Sequence, residues 1–184
     1  MTLSLGAIRL PFAALAIAAL LAIPLRARAQ EAAASPPADA GAAQPAQSPT
    51  VEWPLKRLYC VEYARLRSGL AVFGDAKLWW SRARNLYDEF TRPAVDAVMV
   101  FSGSRRIRKG HLAVVTNIVN PREIIVDHAN WQNRGEIDRN MPVLDVSAGN
   151  DWSRVRVWDV RTGQFGSHIY RISGFISAMA AAGS

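Results

Sequence analysis

The chain has 184 residues, of which 50% are hydrophobic and 20% charged, and its formal net charge is +7. It contains a single cysteine, which excludes an internal disulfide and leaves the thiol either a chemical or a packing role. No nucleic-acid motif accompanies the basic residues, so we expect no nucleic-acid partner. The positive charge favours contact with anionic polymers such as cell-wall material or lipid head groups, or serves solubility alone.

The first 29 residues have the pattern of a secretory signal peptide. Arg9 precedes an apolar run over residues 10–23, and a small-residue cleavage site ends at Ala29. Because the run is short for a membrane span, we expect cleavage after Ala29 and no stable membrane span afterwards. This predicts an exported protein, periplasmic or extracellular. The alternative is an uncleaved membrane anchor.

Residues 30–51 are rich in Ala, Pro, Gln and Ser and show no apolar periodicity. Such a segment buries too little apolar surface to offset its ordering entropy, so it predicts a disordered linker. Residues 52–184 remain as one domain of a length that supports a single core. We expect this domain to be a monomer.

Helical patterns come first in this domain. Residues 59–68 carry apolar side chains at helical spacing, and a glycine ends the segment. Asp75 is a suitable N-cap for a second helix over residues 76–83. Runs of β-branched and aromatic residues, separated by turn residues, then predict strands at 97–101, 111–118, 123–130 and 155–160. Helices followed by strands predict an α+β fold with an antiparallel sheet, and residues 102–109 and 132–150 are predicted loops.

Cys60 lies at the start of the first predicted helix. Unbonded backbone amides at a helix N-terminus favour negative charge, so this position predicts a thiol more acidic than usual and able to act as a nucleophile. The alternative is a buried cysteine that packs as a small hydrophobic residue. A zinc site with His111 and His128 is disfavoured because paired ligand spacings are missing, and we expect no metal or cofactor.

Two histidines lie on consecutive predicted strands. His111 follows Gly110, whose missing side chain allows close approach to the imidazole. If the two strands form a hairpin, His111 lies opposite or diagonal to His128 and Asn130. A slip of one residue would present Asp127 instead. We favour His128 and Asn130 as the groups that orient His111, with Asp127 as the alternative.

The segments that carry these residues together resemble the CHAP domains, a family named for cysteine- and histidine-dependent amidohydrolases and peptidases. The resemblance is carried by YCVEYARLRSG (59–69), GDAKLWW (74–80), PAVDAVMVF (93–101), GHLAVV (110–115), VDHANW (126–131), NDWSRVRVWD (150–159) and YRISGFI (170–176). It implies a papain-like fold in which N-terminal helices pack on an antiparallel sheet. It also implies cleavage of amide bonds, most often in peptidoglycan, by an N-acetylmuramoyl-L-alanine amidase or a peptide endopeptidase.

The resemblance also implies roles for individual residues. Cys60 matches the nucleophile and His111 the general base and acid, while His128 and Asn130 match the polar residues that orient the histidine. Many relatives have a glutamate where this chain has His128. A neutral imidazole stabilises a neighbouring cation less than a carboxylate would.

Two aromatic residues flank the matched positions, and we expect both to contact the substrate. Tyr59 stands where the family commonly has a glutamine, and Trp131 follows the predicted polar pair and is expected to shield it from water. The sequence also leaves two other functions open. One is a catalytically weak or silent module that binds cell-wall material, and the other is an amidase that acts on a small peptide conjugate.

Overall fold

A computed structural model describes residues 47–178 of the chain. The predicted signal peptide (1–29), residues 30–46 of the predicted linker and residues 179–184 lie outside the described residues. Between residues 47 and 178, no helix is both long enough and apolar enough to cross a membrane.

Both predicted helical segments are confirmed, and both are short. Helix α1 spans Cys60–Ser68, and helix α2 spans Trp79–Ala83 directly after the 3-10 turn Ala76–Leu78. Helix α1 ends where Gly69 adopts a left-handed φ of 72°, and the amide of Gly69 donates to the carbonyl of Arg65 at 2.9 Å. A glycine adopts this conformation without the steric cost of a Cβ atom, so it ends the helix readily.

Strands make up most of the remaining regular structure of the described chain, and all of their pairings are antiparallel. They are β1 Thr50–Glu52, β2 Asp88–Phe90, β3 Val98–Phe101, β4 His111–Asn120, β5 Glu123–Ala129, β6 Ile137–Asp145, β7 Arg154–Asp159, β8 Gln164–Phe165 and β9 Tyr170–Ser177. The four predicted strands correspond to β3, β4, β5 and β7.

Six of these strands close into a barrel. Their order is β6-β5-β4-β3-β9-β7, and β7 pairs again with β6 through Val143↔Val157 and Asp145↔Val155. The short strands β1, β2 and β8 pair with β6, β9 and β7 respectively. Closure pairs both edges of every barrel strand along part of its length, so the barrel has no continuous open edge.

The predicted papain-like α+β fold, with N-terminal helices packed on an antiparallel sheet, is therefore wrong. Within residues 47–178 the α-helices have nine and five residues, and the barrel is the main body of the domain. The cause is β6, which lies in the segment 132–150 that we predicted to be a loop. This strand joins β5 to β7 and so converts an open sheet into a closed one.

Alternation along the strands separates two hydrophobic cores. On β4, Ala113 and Val115 point into the barrel, while Leu112 and Val114 point outward against helix α1 and the segment that follows it. This is the period of two expected of a strand that is buried on both faces. His111 lies on the inward face of the same strand, at the end of the barrel next to α1.

Candidate active site

A cleft lies at the end of the barrel next to the start of helix α1. Its volume is ≈ 800 Å³. It is lined by Tyr59, Cys60, Val61, Gly74, Asp75, Ala76, Arg106, Ile107, Arg108, Lys109, Gly110, His111, Asn130, Trp131, Gln132 and Tyr170. Five of the six residues that the sequence singled out therefore line one cleft.

Cys60 is the first residue of helix α1 and is partly buried. Burial raises the pKa of its thiol above 9.0, although backbone hydrogen bonds at Leu112, Val61 and Cys60 itself favour the thiolate. The prediction of an unusually acidic thiol is therefore wrong. The helix terminus acts in the expected direction, but the loss of hydration has the larger effect.

Gly110 fixes the position of His111 at the start of β4. Its φ is +76°, and a Cβ atom there would lie 2.6 Å from both the backbone nitrogen of Lys77 and the carbonyl oxygen of Phe101. The amide of Lys77 donates to the carbonyl of Lys109 at 2.8 Å, which ties the preceding loop to the 3-10 turn. The two segments can approach this closely only because residue 110 has no side chain.

His111 and His128 form a buried pair inside the end of the barrel. Nε2 of His111 lies 3.0 Å from Nδ1 of His128, and the two residues are 4% and 0% exposed. Nδ1 of His111 makes no hydrogen bond to any group between residues 47 and 178. His111 thus has one ring nitrogen held by His128 and the other free to accept a proton in the cleft.

Three aromatic rings enclose this pair. The ring centroid of Trp131 lies 4.7 Å from that of His111 and 5.4 Å from that of His128, and the rings of Phe101 and Tyr170 also contact Trp131. In this apolar setting burial lowers the pKa of His128 to about 3 and lowers the pKa of His111 well below 6.5. Both imidazoles are therefore neutral at pH 7.

Two other predicted residues line the cleft without contacting the histidine pair through hydrogen bonds. Asn130 adopts a left-handed φ of 62°, and its amide donates to the carbonyl of Glu136 at 2.9 Å. Its side chain makes no hydrogen bond with the described part of the chain, so it is available to a ligand. Tyr59 precedes helix α1, is 65% exposed and forms an outer edge of the cleft.

Asp127, the alternative partner for His111, points away from the cleft. Its carboxylate accepts hydrogen bonds from the guanidinium of Arg139 at 2.8 Å and from the backbone amide of Asn140 at 2.9 Å. The register Val114↔Asp127 between β4 and β5 sets this orientation. His128, one residue further on, consequently points into the barrel toward His111.

Asp138 is a site residue that the sequence analysis missed. It lies on β6, is 2% exposed, and its Oδ2 atom is 3.9 Å from Nε2 of His128. The side-chain amide of Asn133 donates to the same oxygen at 2.9 Å. Burial raises the pKa of Asp138 to about 7 despite this hydrogen bond. An acidic residue three positions before an apolar alternation (Met141, Val143) was the available signal for a buried carboxylate on a strand.

Positive charge borders the cleft on one side. Arg106, Arg108 and Lys109, which we call the cationic rim, belong to the loop between β3 and β4. Asp75 also lines the cleft and pairs with Lys109 at 3.6 Å. The two arginines make no ion pair with any residue in the range 47–178. The two arginines therefore bring unpaired positive charge to the cleft that Cys60 also lines.

Comparison with protein families agrees with this geometry. Residues 51–130 match the family model described as the CHAP domain, a segment that contains Cys60, His111, His128 and Asn130. This segment is similar to the CHAP domain. The motifs at 150–159 and 170–176 and the buried Asp138 lie beyond the matched segment. No curated protein matches the chain.

CHAP domains are cysteine- and histidine-dependent amidohydrolases and peptidases, so this match supports a general hydrolase role for the chain. The arrangement in the cleft is suited to that chemistry. A thiol at a helix start, an imidazole nitrogen without a partner and backbone amides that can bind an oxyanion border the same space.

Proposed function

We propose that this protein is an exported thiol hydrolase that cleaves amide bonds in peptidoglycan. The observation that carries the proposal is that Cys60 and His111 border one open cleft, with Nε2 of His111 bound by His128 at 3.0 Å and Nδ1 free. In this proposal Cys60 is the nucleophile, His111 is the general base and acid, and His128 orients His111. Asn130, Tyr59 and Trp131 contact the substrate or shield the reacting groups.

The reaction begins from neutral groups, because burial disfavours both the thiolate and the imidazolium. As the sulfur of Cys60 attacks the amide carbonyl, its proton moves to Nδ1 of His111. The carbonyl oxygen becomes an oxyanion that accepts a hydrogen bond from the backbone amide of Cys60. His111 is therefore a general base during attack, and a thiolate–imidazolium pair forms only as the reaction proceeds.

The remaining steps return the protein to its starting state. His111 donates its proton to the leaving nitrogen, the C–N bond breaks, and an amine leaves a thioester on Cys60. His111 then removes a proton from water, which attacks the thioester carbonyl. The carbon–sulfur bond breaks, a carboxylic acid is released, and the sulfur regains a proton.

The cationic rim favours a substrate with anionic groups near the scissile amide. Arg106 and Arg108 have no ion-pair partner in the described chain, so a bound carboxylate would gain two favourable interactions. Cross-linked wall peptides carry free carboxylates, and an open cleft admits a segment of polymer.

The proposal of export rests on the signal-peptide pattern of the first 29 residues. It predicts a mature protein that begins at Gln30, which N-terminal sequencing of secreted material would test.

The decisive experiment is incubation of the purified protein with isolated sacculi, followed by mass spectrometry of the released fragments. New lactyl ends on the sugar indicate an amidase, and new peptide termini indicate an endopeptidase. Cys60→Ala and His111→Ala should abolish release. His168→Ala is the matched control, because His168 is exposed and does not border the cleft.

Other outcomes would change the assignment. Release by Cys60→Ala at the wild-type rate would rule out thiol catalysis. Binding to sacculi without release by any form of the protein would instead indicate a silent wall-binding module. Hydrolysis of soluble peptide amides but not of sacculi would indicate an amidase for small conjugates.

A further inference from the structure

The hydrogen bond between His111 and His128 has a direction that depends on where the protons lie. A neutral imidazole carries one proton, so one of the two nitrogens donates and the other accepts. If His111 is to accept a proton from Cys60 at Nδ1, its own proton must be on Nε2. It then donates to Nδ1 of His128, and His128 must carry its proton on Nε2.

Nε2 of His128 is buried and has no hydrogen-bond partner among the described residues. The nearest acidic oxygen is Oδ2 of Asp138, at 3.9 Å. A contraction of about 1 Å would bring these atoms within hydrogen-bonding distance. Asn133 holds the carboxyl group in place through a hydrogen bond of 2.9 Å to the same oxygen.

We propose that Asp138 is a positioning residue that determines which nitrogen of His111 carries the proton. The inference rests on the proposed thiol chemistry, and Asp138 acts through His128 without touching the substrate. When Asp138 is ionised, its carboxylate accepts a hydrogen bond from the Nε2–H of His128. Nδ1 of His128 then accepts a hydrogen bond from the Nε2–H of His111, and Nδ1 of His111 is a free base. This is the competent state.

Protonation of Asp138 reverses the direction of both hydrogen bonds, the one between Asp138 and His128 and the one between His128 and His111. The carboxylic acid donates to Nε2 of His128, His128 donates from Nδ1 to Nε2 of His111, and His111 carries its proton on Nδ1. The cleft then contains no base for Cys60. Since burial raises the pKa of Asp138 to about 7, both states are populated near neutral pH, and activity should fall as the pH drops through that value.

The titratable groups nearest Asp138 agree with a carboxyl pKa near neutrality. His128 faces it from β5 and is neutral, because burial lowers the pKa of His128 to about 3. Glu136, which lies just before β6, raises the pKa of Asp138 through charge repulsion. Neither group supplies a positive charge that would hold the carboxylate ionised.

Charged groups on the adjacent strands are already paired. On the β1 side, Glu52 accepts a hydrogen bond from Arg139 at 3.0 Å. Near the end of β7, Arg161 pairs with Asp159 at 2.7 Å, and both border a small cavity of ≈ 160 Å³ that also includes Asp138. Because these charged groups pair with one another, His128 is the neighbouring group whose proton position depends on Asp138.

The direct test is ¹⁵N NMR of the histidine rings in the full mature chain, without substrate. In the wild type at pH 8, His111 and His128 should both be protonated on Nε2, and at pH 5.5 both should be protonated on Nδ1. In Asp138→Asn this pH-dependent exchange should disappear. Asp127→Asn is the matched control, because it alters another buried carboxyl group of the same barrel that has no contact with the histidines.

Kinetics on sacculi provide the second readout. Asp138→Asn should lower kcat by at least about tenfold, leave KM within about twofold, and remove the decline in kcat/KM near pH 7. A merely structural residue would not alter the pH profile in this way. A wild-type profile in Asp138→Asn would overturn the proposal, and so would His111 protonated on Nδ1 at pH 8 in the wild type.

The two arms separate this inference from the proposed function. If the tautomers follow Asp138 but no fragment is released from sacculi, the positioning role stands and the proposed substrate fails. If fragments are released but the histidine tautomers do not depend on Asp138, the hydrolase assignment stands and the positioning role fails.

Discussion

Replacement of Asp138 by asparagine should change the stability of the protein in a way that depends on pH. The carboxyl group is 2% exposed, and burial raises its pKa from 3.8 to about 7. The folded state therefore holds the proton more tightly than the unfolded state does. Between these two pKa values, rising pH removes a proton from the unfolded chain first and so destabilises the folded protein.

The size of the effect follows from the two pKa values. With 1.36 kcal/mol per pKa unit, the penalty in the wild type is about 1.6 kcal/mol at pH 5 and about 4 kcal/mol at pH 8. Asparagine does not titrate, so Asp138→Asn lacks this penalty. The unfolding free energy of the variant minus that of the wild type should rise by about 2–3 kcal/mol from pH 5 to pH 8.

Urea denaturation at several pH values measures this difference. With a slope near 2 kcal/mol/M, the midpoint of the variant relative to the wild type should move by about 1 M over the range. The buried histidines lose stability in acid in both proteins, so their contribution cancels in the difference. A difference that stays constant from pH 5 to pH 8 would refute the raised pKa and the reasoning from burial.

Asp127→Asn is the control for this measurement. Asp127 is 5% exposed and accepts a hydrogen bond from Arg139 at 2.8 Å. Its replacement removes the more buried of the two carboxylates that pair with Arg139 and leaves only the more exposed Glu52, so the variant should be less stable than the wild type at pH 8. The two substitutions remove the same charge and should have opposite effects at this pH.

Three further predictions follow from the cleft and its rim. Because burial raises the pKa of Cys60, its alkylation by iodoacetamide should accelerate by about tenfold per pH unit between pH 7 and 9, and a plateau at neutral pH would contradict this. Gly110→Ala should lower the unfolding free energy by about 2–4 kcal/mol. Gly163 has a φ of +65° but open space around it, so Gly163→Ala should lower the unfolding free energy by only about 1–2 kcal/mol. Equal losses in the two variants would show that crowding at residue 110 is unimportant. Arg106→Gln should raise KM for an acidic peptide amide several-fold at unchanged kcat. Arg105→Gln, outside the cleft, is the control. Equal KM values in the two variants would show that the rim does not contribute to substrate recognition.

Sequence reasoning was sufficient for the local features of the site. The helix that begins at Cys60 and the strands that carry His111 and His128 follow from apolar periodicity and turn residues. Alternation along the two strands also predicted that these histidines share faces with Val115 and Val126, which the structure confirms. The motifs that carry the cysteine, the first histidine and the second polar residue resemble those of the CHAP domains, and the family match over residues 51–130 agrees with that resemblance.

The fold class was wrong because barrel closure depends on pairing between distant segments. The segment 132–150 alternates polar and apolar residues irregularly, and a proline at position 142 interrupts it, so it gave no clear strand signal. Pro142 lies within β6, opposite Ile125. No local pattern shows that the sheet will close, because closure also requires β3, at Val98–Phe101, to pair with β9, at Tyr170–Ser177, and these strands are far apart in sequence.

What the sequence by itself determined is the set of reactive groups and the elements that carry them, since these depend on residue type and on spacing over a few positions. What only the tertiary structure decided is their ionisation and their partners. Burial raises the pKa of the Cys60 thiol, His128 and not Asp127 contacts His111, and Asp138 lies next to His128 on the side away from His111. The physical reason is that desolvation and hydrogen bonding depend on every segment packed around a group, and closure of the barrel brings those segments together from across the whole chain.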